Sequence, residues 1–319
     1  MRIAVFGAGA IGGFLAARLV EAGAEVSLIA RGPHLKALRR HGLRLESDEF
    51  GSSRYDVMAT GDPRKVGVVD YLILGVKANA LTAIAPLCEP LMGDKTAVVS
   101  LQNGLPWWYF HGIEADEAPL ESVDPGGVIA RHLPPERAIG GIAYISAAIA
   151  KPGVIRHTQG ARFPLGEPSG GRSARSKAFS QALIAGGVKA PIRGDVRHEI
   201  WVKLMGNAIF NPLSALTRKT MRDMVEFPET RELIRRCMEE ARETAAATGV
   251  QIAFSTDRRI EGARQAGDHR TSMLQDVEAG RTPELEPLTG AVVELAVRKN
   301  VETPSLFAVY SAAKSAFAE

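Results

Sequence analysis

The sequence predicts an α/β chain of two domains, a parallel-sheet domain over residues 1–194 and an all-helical domain over residues 195–319. Three observations carry that prediction. The 319 residues are more than a single hydrophobic core usually fills. The first part repeats short apolar runs of strand length separated by glycine-rich turns and helix-patterned stretches. After Arg193-Gly194-Asp195, a linker by composition, the period-two runs vanish and the remaining pattern is helical throughout.

Residues 2–6 read as a short buried strand that runs straight into Gly7-Ala8-Gly9-Ala10-Ile11-Gly12-Gly13. An amphipathic helix over 14–22 follows, closed by Gly23, and then a second strand over 25–30. A strand, a G-x-G-x-x-G turn, a helix and a strand in this order form the dinucleotide-binding fingerprint of a Rossmann domain. Gly7 permits the tight turn, Gly9 lets a pyrophosphate approach the backbone, and Gly12 lets the helix pack closely on the strand. The N-terminus of that helix offers N–H groups and a partial positive charge to the phosphates. An acidic residue for the ribose hydroxyls is the usual NAD feature at the end of the second strand, but Ala30-Arg31-Gly32 stands there. The charged fork of Arg31 suits a 2′-phosphate, so NADP (NADPH) is the expected cofactor.

A helix is expected over 35–42 and a hairpin over 42–60. Strands over 70–77 and 96–101 deliver Lys77 and Gln102-Asn103-Gly104 to the carboxyl edge of the sheet, where open α/β sheets bind ligands. Residues 106–135 are irregular and hold Trp107-Trp108-Tyr109-Phe110 with an acidic run, Glu114, Asp116, Glu117, Glu121 and Asp124. The aromatics are open to two readings, packing against the sheet or a subunit, or a wall or lid over a substrate. Strands over 139–149, 153–157 and 163–166, a helix over 175–185 and a last strand over 189–192 complete the first domain. The helices of the second domain are expected at 198–211, 228–248, 255–266, 269–279, 284–299 and 305–318. Thr282 reads as the cap of the fifth, with Pro283 and Glu284 in its first turn.

The helix over 198–211 carries the chemistry of the second domain. Lys203, Asn207 and Asn211 recur at four-residue spacing and drift only about 40° per step, so one amine and two amides share a face. Trp201, Leu204, Met205, Ile209 and Phe210 make the rest of the helix apolar, and polar groups in such a setting need partners. A buried lysine whose pKa falls toward neutrality can protonate the oxyanion formed when hydride reaches a carbonyl. Asn207, Asn211 and Ser272 can orient a hydroxyl or carboxylate without adding charge.

Several classes are excluded by composition. The net charge is +3 with acids and bases interspersed, which gives no basic face for nucleic acid. Cys88 and Cys237 are the only cysteines, and the seven histidines show no ligand spacing, so no disulfide framework and no metal is expected. The start of the chain lacks the apolar core of a signal peptide, and the apolar runs are too short to span a bilayer, so a cytoplasmic protein without membrane contact is expected. The long amphipathic C-terminal helices are compatible with a homodimer.

Together, Gly7 to Gly12, Arg31, Val76-Lys77, Gln102-Asn103-Gly104, Trp201-Val202-Lys203-Leu204 with Asn207 and Asn211-Pro212-Leu213, and Ser272-Met273-Leu274-Gln275-Asp276 with Glu284 resemble the 2-dehydropantoate 2-reductase (ketopantoate reductase) family over nearly the whole chain. The resemblance implies NADPH-dependent reduction of 2-dehydropantoate to (R)-pantoate on the route to pantothenate. It further implies that Lys203 is the general acid and that Asn103, Asn207, Asn211 and Ser272 bind substrate, with Asn103 also near the cofactor. By the same resemblance Gly7, Ala8, Gly9, Ala10, Ile11, Gly12, Arg31, Lys77, the Ala148 backbone and Glu284 contact the cofactor. Met221 departs from members that carry an asparagine there, so a related reductase of another 2-oxo acid, bulkier or aromatic, is the alternative. Two further alternatives are a non-catalytic NADP-binding sensor, which has no need of the polar stripe, and a 3-hydroxyacid dehydrogenase. The latter usually has glycines just before its lysine, where Ile200-Trp201-Val202 stands.

Overall fold

The computed structural model describes residues 1–113 and 117–318, so Glu114 and Asp116 of the acidic run lie outside the described residues. It divides into two compact units. The first holds Met1–Gln102, Trp107–Pro119 and Gly126–Val196; the second holds Asn103–Pro106, Leu120–Pro125 and Arg197–Glu319.

In the first unit the chain runs β1 (Arg2–Phe6), α1 (Ala10–Glu21), β2 (Glu25–Ile29), α2 (Gly32–His41), β3 (Leu43–Ser47), β4 (Gly51–Tyr55), β5 (Met58–Thr60), β6 (Tyr71–Leu74), α3 (Leu81–Ile84) and β7 (Ala97–Ser100). It continues with α4 (Val128–His132), β8 (Ala138–Gly141), β9 (Tyr144–Lys151), β10 (Val154–Arg162), β11 (Leu165–Gly166) and α5 (Ala174–Ala185). Seven strands form one sheet in the order β11-β8-β7-β6-β1-β2-β5, parallel except for β11. β6, β7 and β8 are buried at every position, the near-continuous apolar pattern of parallel strands covered on both faces. The order reverses at β1, because the chain first moves outward through β2 and β5 and then returns to β6 on the other side. Open sheets bind ligands at such a switch point, at the carboxyl ends of β1 and β6.

A second sheet has the order β4-β3-β10-β9, with β3 and β10 parallel. It packs on α1, where Phe14, Leu15 and Leu19 join Val5, Leu28, Ile155 and Phe163 in one core. Strand lengths differ from expectation where the chain changes sheets. The run over 139–149 breaks at Ile142-Ala143, which sends β8 to the large sheet and β9 to the small one. β5 leaves the expected hairpin to extend the large sheet beside β2. Residues 189–192 make only isolated bridges, Lys189 with Arg162 and Ile192 with Leu165.

Of the two readings of the aromatic run, packing is the one the structure supports. Trp107, Trp108, Tyr109 and Phe110 are all buried, and Trp107 Nε1 donates to the Leu133 carbonyl at 2.9 Å. Gly140 makes room for the Trp108 ring, since a Cβ there would stand 2.5 Å from it.

The second unit contains α6 (Val196–Thr217), α7 (Met221–Glu226), α8 (Pro228–Ala247), α9 (Thr256–Gln265), α10 (Ser272–Glu278), a π-turn over Glu286–Gly290, α11 (Ala291–Arg298) and α12 (Pro304–Phe317). α6 runs past its expected end at 211 and straight through Pro212. A proline cannot donate to the carbonyl four residues earlier, which here is Ala208. Thr289 Oγ1 donates to that carbonyl at 2.8 Å and so restores the missing bond. The unanticipated α7 starts at a capping box of Thr220 and Asp223. Thr282 does not begin the fifth helix as expected; helical geometry starts at Leu285, just after Glu284. Residues 120–125 join this unit because the Glu294 carboxylate accepts bonds from the Glu121 and Ser122 N–H groups and from the Ser122 hydroxyl. Among the described residues no helix is long and apolar enough to cross a membrane, and no cluster could hold a metal ion.

Candidate active site

At the switch point of the first unit the three glycines of the turn have different physical reasons to be glycine. Gly7 has φ +98°, and a Cβ there would meet Val76 Cγ1 at 2.6 Å, so the turn leaves β1 hard against the exit of β6. A Cβ on Gly12 would overlap the Gly7 carbonyl and stand 3.0 Å from Val5 Cγ1, so the helix needs glycine to approach its strand. Gly9 is different. A Cβ there would touch only the Gly75 carbonyl oxygen, at an ordinary 3.5 Å. The protein's own packing does not require glycine at this position, whereas close approach of a pyrophosphate does.

Gly9 is also the N-cap of α1, without a side-chain cap and with no acidic residue in the first turn. The N–H groups at Ala10, Ile11 and Gly12 therefore open a helix with a positive end and no carboxylate of its own to answer it. These features fit a bound dinucleotide. Arg31 caps α2 directly after β2 and is exposed. Lys77 follows β6, is half-buried and caps the short 3-10 turn Ala78–Ala80. Gln102, quoted in the sequence motif without a role, ties the two strand ends together. Its Nε2 donates to the Leu74 and Val76 carbonyls at 2.7 and 3.1 Å.

In the second unit Lys203 and Asn103 meet directly. Lys203 Nζ donates to Asn103 Oδ1 at 2.8 Å. Asn103 lies in a segment clamped to the π-turn: Leu105 N–H donates to the Pro287 carbonyl at 3.0 Å, and Gly104, at φ +93°, approaches the same carbonyl so closely that a Cβ would overlap it. The sequence places Asn103 after a strand of the first unit, but this clamp makes it part of the second. Burial of the Lys203 ammonium lowers its pKa from 10.5 to about 8, and the Glu284 carboxylate pulls the other way. Glu284 and Asn211 are buried, while Lys203, taken as a whole residue, and Asn207 are half-buried.

Ser272 is exposed, the first residue of α10 behind its cap Thr271. The Met221 N–H donates to the His269 carbonyl, so α7 is bonded to the segment that leads to Ser272. Ala148 is placed outside the large sheet. It lies on β9 opposite Arg156, exposed, in the four-stranded sheet rather than at the carboxyl edge of the large one. One feature of this unit has no counterpart in the sequence motifs. A Cβ on Gly206 of α6 would overlap Arg259 Nη2 of α9, and would stand 3.0 Å from Cζ and 3.1 Å from Nε. Its only trace in the sequence is a glycine in the middle of a helix, which costs about 1 kcal/mol relative to alanine and so asks for a reason.

Comparison with known proteins gives concordant results. Residues 3–170 match the family model described as ketopantoate reductase PanE/ApbA, and residues 195–316 match that of its C-terminal domain. The chain is 46% identical to a 2-dehydropantoate 2-reductase of Mesorhizobium japonicum over 312 residues, which covers 97% of this chain and 95% of the relative. A 2-dehydropantoate 2-reductase of Halobacterium salinarum is 28% identical and covers 95% of both chains. Among solved structures, a putative ketopantoate reductase of Ralstonia solanacearum superimposes with a TM-score of 0.93 at 37% identity, covering 98% of this chain and 97% of that one.

Proposed function

Since the chain belongs to the ketopantoate reductase family of NAD(P)-dependent oxidoreductases, we propose that it reduces 2-dehydropantoate to (R)-pantoate with NADPH and with Lys203 as the general acid. The observation that carries this reading is the buried amine of Lys203, with its pKa near 8 and its bond to Asn103. Near neutral pH such an amine is mostly charged and yet close to the point of release, the condition that general acid catalysis favours.

The residues divide the work as follows. NADPH, when bound, would supply hydride to the carbonyl carbon. Lys203 gives its proton to the oxygen as negative charge develops there. Asn103 Oδ1 accepts from the ammonium and holds it in place, which leaves the Asn103 amide nitrogen as a donor for the substrate. Asn207 and Asn211, one and two turns along α6, grip the hydroxyl and carboxylate, and Ser272 adds a hydroxyl. Glu284 keeps the amine charged and contacts the nicotinamide side of the cofactor. Arg31 takes the 2′-phosphate, Lys77 contacts the cofactor from the end of β6, and the turn Gly7 to Gly12 takes the pyrophosphate. The product belongs to the pantothenate route.

A second reading, reduction of a different 2-oxo acid by the same chemistry, rests on Met221 alone. Trp107, Trp108 and Tyr109, which could have met an aromatic substrate, are packed in the first unit. NADPH oxidation measured across a panel of 2-oxo acids decides between the two readings. The expected result is the highest kcat/KM for 2-dehydropantoate, abolished in Lys203→Ala. A higher value for another acid would replace the substrate, and normal turnover by Lys203→Ala would remove the acid.

A further inference from the structure

We propose that Arg259 anchors the carboxylate of the 2-oxo acid, with Gly206 as the seat that lets its guanidinium lie against α6 beside Lys203. The inference rests on the reading of the second unit as the site of 2-oxo acid reduction.

Geometry places the guanidinium. On α6, Gly206 follows Lys203 by three residues, which turns it about 60° to one side, while Asn207 lies about 40° to the other. Residues three apart on a helix are surface neighbours, about 5–6 Å between Cβ positions. Three atoms of the Arg259 group, Nη2, Cζ and Nε, all come within bonding or contact range of the Cβ that Gly206 lacks. The planar group therefore lies over the helix backbone itself, next to the row of Lys203, Asn207 and Asn211. Arg259 is half-buried and projects from α9, which starts at a serine cap whose hydroxyl accepts from the Arg258 N–H.

Chemistry gives the guanidinium its task. In a 2-oxo acid the carboxylate is bonded directly to the carbonyl carbon, so a lysine that protonates the carbonyl oxygen has the carboxylate as its neighbour. The asparagines are neutral, and Lys203 loses its charge when it gives up its proton. A carboxylate left in a partly desolvated site at that moment needs a cation that does not titrate. Arginine remains charged and meets a carboxylate with two parallel bonds. Before the transfer the Glu284 carboxylate answers the Lys203 ammonium, and Arg259 answers the substrate carboxylate both before and after it.

The test compares a 2-oxo acid with its methyl ester at saturating NADPH, in wild type, Arg259→Met, Arg259→Lys and Gly206→Ala. Loss of a charge-assisted pair predicts that Arg259→Met lowers the acid-to-ester ratio of kcat/KM by about 100-fold, mostly through KM, with partial recovery in Arg259→Lys. Gly206→Ala meets the far end of the Arg259 side chain rather than backbone, so it is expected to fold, to melt no lower than wild type, and to lower the same ratio. It carries the test if Arg259→Met does not fold. A ratio within twofold of wild type in the folded variants overturns the proposal. Calorimetric binding of oxamate to the NADP-loaded protein separates this failure from failure of the functional reading. Oxamate presents the same carboxylate beside a carbonyl, so weaker binding to the variants supports the anchor even if the panel finds no substrate, and unchanged binding overturns it.

Discussion

Replacing Glu284 by glutamine isolates what sets the acidity of Lys203. The amine sits at about 8 rather than 10.5, so the fold disfavours the ammonium by about 3 kcal/mol in net terms, with burial lowering the pKa and the Glu284 carboxylate opposing it. Glutamine keeps the shape and removes the opposing charge, so the pKa of Lys203 falls further. The direction for catalysis follows from which form works. Reduction needs the charged amine, so wild-type kcat declines as pH rises through about 8, and in the variant that decline moves to lower pH. An opposite charge close by is worth at least about one pH unit, about 1.4 kcal/mol. A displacement of that size lowers kcat about threefold near pH 7.5 and about ninefold near pH 9, with little change near pH 6. The assay is kcat at saturating NADPH and substrate across this range, which removes any effect of Glu284 on cofactor affinity. A basic limb that stays where it is in wild type, or moves to higher pH, would refute the assignment of Lys203 as the titrating acid or of Glu284 as its counter-charge.

The glycine turn offers a paired comparison. Gly12→Ala must push the helix away from the Gly7 carbonyl and is expected to lower stability by about 1–3 kcal/mol in a denaturant melt, the usual cost of overpacking. Gly9→Ala meets no such obstacle, so its melt is expected to match wild type while NADPH affinity falls at least about tenfold by fluorescence titration, because the methyl stands where the pyrophosphate approaches. Equal stability loss in both variants would contradict the distinction. Arg31→Ala is expected to weaken NADPH by about 2 kcal/mol, the scale of a charge-assisted bond, and NADH hardly at all. Parallel losses for the two cofactors in the same titration would remove the 2′-phosphate role.

The parts of this protein that were legible in sequence are those whose causes are local. A buried parallel strand must be apolar along its length, and a turn under a helix must carry glycine where backbones touch, so β1, α1, β6 and β7 could be placed within a few residues. The polar face of α6 could be read because helical spacing is itself local. Destinations could not be read. Nothing in Met58-Ala59-Thr60 says that this strand leaves its hairpin for the edge of another sheet, and nothing in the run from 139 to 149 says that it changes sheets midway. Pro212 illustrates the same limit: its local effect is to end a helix, and only the distant Thr289 hydroxyl, by taking the Ala208 carbonyl, lets α6 continue.

Asn103 shows why this limit matters for function. By sequence it is the polar end of a strand, one residue beyond Gln102, and the two read as a single motif at the ligand edge. In the structure the two neighbours serve different units. The Gln102 amide joins the ends of β6 and β7, whereas Asn103 is held to the π-turn through Leu105 and Gly104 and accepts from Lys203. Consequently the partner that orients the proposed acid does not come from the helix bearing it. It comes from the segment that follows β7, and Gly104 is the residue that makes this arrangement sterically allowed. A side chain at Gly104 would collide with the Pro287 carbonyl and withdraw Asn103 from Lys203 without touching either residue, so its effect would reach kcat through the orientation of the amine rather than through its charge.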